Sequence, residues 1–208
     1  MAINYFALIG DVVASRTLAA PARAALQAEL RAALPDLNRT WRRALAARFA
    51  ITLGDELQCL LKSPEAVWDV AHAVRVRLPA VDWVIACGRG PLATRLHPGV
   101  AAPELDGPCF HAARGALERA KRERLVFAFG GFDDPALDAL ARYYSALFWN
   151  STRRQRRAAN GFRAPPGAPA PHRPGRERVG PSALSHLRRR MAWPLVAAGD
   201  KMLRTLIA

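Results

Sequence analysis

Cysteine is scarce in this 208-residue chain, with only Cys59, Cys87 and Cys109, far apart and mostly within apolar segments. That usage argues against a disulfide framework or a zinc site and predicts buried thiols in a cytoplasmic protein. No run of 18 apolar residues occurs, so no membrane span is expected. The N-terminal apolar stretch carries Asp11 and has no basic leader, which does not fit a signal peptide. No GxxxxGK[ST] pattern occurs, which excludes a P-loop. No internal repeat is present. What the chain does have is apolar residues, 51% of the total and enough for a real core.

Acidic residues are scarce in one region. Residues 151–208 hold 13 Lys and Arg against 2 Asp and Glu, a net +11, whereas residues 1–150 hold 18 against 15, a net +3. The total of +14 is therefore segregated. Arg outnumbers Lys 28 to 3, and Ala and Pro are abundant, a bias that codon usage produces without any binding role. Segregation is what codon bias does not explain. It points to a polyanionic partner, most simply nucleic acid.

Residues 3–9 read as a buried strand, followed by an Ala-rich helix from Pro21 to about Leu34. Leu45 to Leu53 and Glu56 to Leu61 read as two strands joined by the hairpin signal Gly54-Asp55. Pro64 opens a second amphipathic helix through Val67, Val70, Ala71 and Val74. Val81 to Cys87 reads as a fourth strand, closed by a Gly88-Arg89-Gly90 turn. The order β-α-β-β-α-β predicts an α/β (α+β) fold of the split, ferredoxin-like kind. A helix from Pro108 to Arg122, a strand at Leu125–Phe129 and a helix over 134–149 follow. Residues 163–176 contain five prolines and predict a loop or linker. The expected organisation is a domain over 1–150 and a basic helical appendage over 151–208.

Two motifs carry chemistry. Leu8-Ile9-Gly10-Asp11 and Ile51-Thr52-Leu53-Gly54-Asp55 each run from an apolar strand into Gly-Asp. If those strands pair, about 4.8 Å apart, Asp11 and Asp55 converge and two carboxylates suit a hard cation such as Mg²⁺. Asp after Gly at a strand end is also a common turn residue. Glu56 faces opposite to its neighbour Asp55 along a strand and ranks as a second-tier ligand. Ser15 and Arg16 stand where a helix N-terminus is expected, a place suited to phosphate or to a plain N-cap.

Together these motifs resemble the SatD family. The matching pieces are Ile9-Gly10-Asp11…Ser15-Arg16, Phe49 through Leu61, and Asp106-Gly107-Pro108-Cys109-Phe110-His111-Ala112-Ala113-Arg114. More remotely they resemble the palm core of class III nucleotide cyclases. That resemblance implies a metal-bound purine nucleotide, with Asp11, Asp55 and the Val12 carbonyl on the metal and Arg114 on phosphate. The chain departs from the cyclases where their transition-state Asn stands, since Phe110 occupies that position. No base-selecting Lys and Asp can be placed, and Leu53 precedes Gly54 where diguanylate cyclases have a glycine pair. These departures argue against cyclase chemistry and leave nucleotide or metal binding. Metal-dependent nucleotidyl or phosphoryl transfer and a non-catalytic scaffold are the alternatives.

The segment Val179 to Met191 resembles a helix-turn-helix recognition helix, a module with which many SatD proteins look to end. Leu184, Leu187 and Met191 form its inner face. Ser182, Ser185, His186, Arg188, Arg189 and Arg190 are the candidate DNA contacts. Residues 151–162 form a supporting helix. A proline-rich stretch replaces the middle helix of such a module. The reading is a nucleotide-sensing regulator that binds DNA.

Overall fold

The computed structural model describes residues 3–52, 54–163 and 181–208. Five strands lie in one sheet: β1 (Tyr5–Val12), β2 (Leu45–Ile51), β3 (Leu57–Leu61), β4 (Trp83–Gly90) and β5 (Phe127–Gly130). Their spatial order is β2-β3-β1-β4-β5. The pairs β2–β3, β3–β1 and β1–β4 are antiparallel and β5 runs parallel to β4. This is a mixed α/β fold. Seven α-helices are described: α1 (Ala20–Trp41), α2 (Val67–Arg77), α3 (Pro108–Glu123), α4 (Pro135–Asn150), α5 (Arg153–Arg163), α6 (Pro181–Arg190) and α7 (Trp193–Ile207).

Strand alternation divides the core in two. Phe6, Leu8 and Val12 of β1 face the first cluster, with α1, α2, α4 and α7. Ala7 and Ile9 face the second, with α3. Cys59, Cys87 and Cys109 are buried and free, as their apolar setting predicts.

The paired strands are not the two that carry Gly-Asp. β3 lies between β1 and β2, so the Asp-bearing ends meet through the β2–β3 hairpin rather than by direct pairing. The hairpin closes with the Thr52 N–H donating to the Glu56 carbonyl at 3.0 Å. Gly54 turns it with φ +62°, a backbone conformation that side chains disfavour.

The turn expected at Gly88-Arg89-Gly90 is instead the end of β4. Gly88 is there for α3: a Cβ on it would fall 2.1 Å from the Cys109 carbonyl oxygen. Only a bare backbone lets that helix lie so close to the sheet. The first helix also runs past its expected end. It continues through Pro35 to Trp41, anchored by Asn38, whose amide accepts from the Phe49 N–H at 2.7 Å and donates to the Phe49 carbonyl at 3.1 Å.

The boundary of charge after residue 150 is not a boundary of packing. α7 lays Leu203 and Ile207 into the first core cluster. It is further tied by Arg163, which donates twice to Asp200 at 2.7 and 3.0 Å with both side chains buried. Gly199 lies inside α7 and Pro194 in its first turn, where proline is tolerated. Arg163 closes α5, and the remainder of the expected 163–176 loop lies outside the described residues.

Candidate functional site

The α3-facing side of the sheet ends in carboxylates. Along β1, Ala7 and Ile9 pack against α3, and Asp11 continues that face. Along β3, Leu60 and Gln58 are buried on the same alternation, which brings Glu56 to the α3 side. The last register pair of the two strands is Gly10 with Leu57, one step before Asp11 and Glu56. Asp55 stands at the hairpin turn beside them.

Helix α3 answers these acids with cations from one of its faces. Arg114 grips Glu56 with two hydrogen bonds, at 2.5 and 2.8 Å. Lys121, two turns further on, places Nζ 2.5 Å from Asp11 Oδ2. Glu56 is buried, yet it also accepts from the Thr52 hydroxyl at 2.6 Å and the Gln58 amide at 3.0 Å. Burial alone would push its carboxyl upward. The Arg114, Thr52 and Gln58 donors outweigh that and hold it below the ordinary range. Asp11 goes the other way. Burial raises its carboxyl, Lys121 opposes, and the charges of Asp55 and Glu56 add to the rise.

Asp55 differs from both. It is half-buried, and its Oδ2 is buried without a hydrogen-bond partner among the described residues. A buried carboxylate oxygen left bare is costly. Among the described residues, no group of three or more His, Cys, Asp and Glu side chains is set to hold a metal ion by itself. Mg²⁺ does not require one, because it commonly takes one or two carboxylates and completes its shell with substrate phosphate and water. The donor set of Asp11 and Asp55, all oxygen, fits that pattern.

The remaining sequence candidates sort differently. Ser15 and Arg16 form a short 3-10 turn directly after β1, with Ser15 half-buried and Arg16 exposed. The helix expected to begin there begins at Ala20 with Ala19 as its N-cap, so Ser15 and Arg16 are not its N-terminus. Ser182, Ser185, His186, Arg188, Arg189 and Arg190 are all exposed on α6. Arg188 also stacks on the Phe162 ring at 4.6 Å. His111 meets Asp106 at 2.9 Å with both exposed, and neither joins the acidic cluster by a hydrogen bond. Lys121 is the member that sequence reading missed. Its signal was its spacing, seven residues after Arg114 on one helical face.

Comparison with known proteins bears on the same segment. No curated protein matches the chain. The profile of the SatD family matches residues 5–124. That span opens at the first residue of β1 and closes at the C-cap of α3. It holds the hairpin and the helix that meet at the acidic cluster, and it covers more than half of the 208 residues. On that evidence the chain belongs to the SatD family.

Proposed function

We propose that the acidic end of the sheet binds the phosphates of a purine nucleotide together with Mg²⁺, and that the protein acts as a nucleotide-responsive regulator. The observation that carries this is the bare, buried Asp55 Oδ2 beside Asp11, framed by Arg114 and Lys121. Asp11, Asp55 and the Val12 carbonyl are the proposed cation ligands, with Glu56 in the second tier. Arg114 and Lys121 supply positive charge for phosphate, and Ser15 and Arg16 border the site from the turn after β1. Mg²⁺, when bound, neutralises phosphate charge.

Binding without turnover is the favoured form. Phe110 stands at the position where the cyclases carry their transition-state Asn, and it is buried in the core cluster on the α3 side of the sheet. The strand order β2-β3-β1-β4, with α1 and α2 on one face, supports the palm-like reading of the fold. Calorimetry with ATP and GTP, with and without Mg²⁺, tests the site.

A second reading rests on a separate observation. The candidate groove-facing residues of α6 are exposed, as are Arg153, Arg154 and Arg157 on α5. This basic surface supports DNA binding through phosphate contacts, with base readout from Ser182, Ser185 and His186. The helix α6 turns directly into α7 at Met191-Ala192, with Ala192 in the left-handed conformation at φ 47°. Salt-dependent DNA binding tests this reading.

A further inference from the structure

Arg75 of α2 is a cation in the wrong place for a cation. Only 2% of it is exposed, and among the described residues no carboxylate pairs with it. Its Nη2 donates to the Val126 carbonyl at 2.8 Å, and its Nε has no partner among the described residues. Its guanidinium lies over the Phe127 and Phe148 rings, at 4.7 and 5.1 Å. Burial, the largest influence, lowers its pKa from the ordinary guanidinium range to about 10, which still leaves it charged at neutral pH. A buried charge without a counter-charge is costly.

The wall beside Arg75 is also cationic. A small pocket between the end of α2, the segment before β4 and α5 is lined by Arg75, Arg153, Arg156, Arg157 and Asn160. The one acid lining it, Asp82, is taken by Arg156 at 3.1 Å. Four guanidiniums against one carboxylate leave the pocket strongly positive. Arg153 and Arg157 are exposed and donate to no protein carboxylate within the described residues. The cavity is about 20 Å³. A water molecule needs about 10–15 Å³, so the pocket has room for about one such group, the size of a single oxygen of a small oxyanion.

We propose that this pocket is a binding site for a single phosphate group, free or on a small phosphomonoester, which supplies the counter-charge that Arg75 lacks. Arg75 forms the floor of the site, and Arg153 and Arg157 close on the anion from α5. The site is distinct from the acidic cluster, which lies on the α3 side of the sheet. The two share an end of the sheet, since the Val13 N–H donates to the Asp82 carbonyl at 2.9 Å.

The test is calorimetry on the full chain at fixed ionic strength, titrating inorganic phosphate, glycerol phosphate or a short DNA duplex. The expected result is one saturable site for inorganic phosphate and for glycerol phosphate, with chloride inert. Arg153→Ala/Arg157→Ala weakens phosphate binding about tenfold or more, the loss of charge-assisted hydrogen bonds. Arg75→Met removes it. Where Arg75→Met does not fold, the surface double variant carries the decision. Asp11→Asn and Asp55→Asn leave phosphate binding intact, which separates this site from the nucleotide site. No saturable phosphate binding, or equal binding by the double variant, overturns the proposal. So does binding of the duplex alone, which would make these arginines part of a polynucleotide surface.

Discussion

Arg114 and Glu56 are 58 positions apart in the chain and form a bidentate pair that ties helix α3 to the β2–β3 hairpin. Glu56 is buried, whereas the Arg114 side chain is 40% exposed. The pair is thus a buried acid held by a cation that reaches it from the surface. The same geometry recurs at Lys121 and Asp11, so one face of α3 neutralises the acidic end of the sheet at two points.

Replacing Arg114 with Met leaves a buried carboxylate without its main donor. The expected loss is about 1–3 kcal/mol, less than for a fully buried pair because Arg114 is half in solvent. The pH dependence has a definite sign. Glu56 has a lowered carboxyl in the folded state, so its contribution is present above the unfolded carboxylate value, about 4.3, and is lost as pH falls through the folded pKa. Urea denaturation from pH 3 to 7 should show that acid-side slope shrink in Arg114→Met. An unchanged slope would mean that Glu56 is not held by this pair.

His72 sets a second acid-side limit. It is buried among Trp68, Phe127 and Tyr144, and among the described residues neither ring nitrogen has a partner. Burial, reinforced by Arg163, Arg75 and Arg204, keeps it neutral far below its usual range. The unfolded chain takes a proton below about pH 6.5 that the folded chain refuses. Stability therefore falls with acid from that point, by up to about 1.4 kcal/mol per pH unit from this group. In His72→Leu this loss between pH 6.5 and 5 should disappear. Equal acid sensitivity in both proteins would contradict the assignment.

Most of the sheet was legible because apolar alternation and the Gly54-Asp55 turn are local signals. Gly88 was not, because its purpose is the approach of α3, a helix that starts 20 residues later. The expected end of α1 was about Leu34, just before Pro35, a residue that disfavours helix interiors. The tertiary hold of Asn38 on Phe49 carries the helix beyond it. Asp11, Asp55, Glu56 and Arg114 stood out as motif residues, and the structure brings them together. Lys121 has no motif of its own; its one signal was the spacing from Arg114, and its contact with Asp11 identifies it. The docking of α7 was hidden because its buried positions, Leu203 and Ile207, follow a stretch interrupted by Pro194 and Gly199.

The exposed arginines of α6 predict salt-sensitive DNA binding. Gel shifts on random and genomic fragments should weaken steeply between low and physiological salt, as phosphate contacts release counterions. Arg188→Ala, Arg189→Ala and Arg190→Ala should each reduce that slope by about 1 on every fragment. Ser182→Ala, Ser185→Ala and His186→Ala should alter only preferred fragments. No shift at low salt would remove DNA from the account.

The central claim is that Asp11 and Asp55 hold a cation that carries nucleotide phosphate. Calorimetric titration of the full chain with ATP and GTP, with and without Mg²⁺, tests it most directly. The expected result is saturable binding of a purine nucleotide that requires Mg²⁺ in the wild type. It should weaken about tenfold or more in Asp11→Asn and Asp55→Asn, the size expected when one charge-assisted ligand is lost. Binding that is the same in wild type and both variants, or that ignores Mg²⁺, would contradict it.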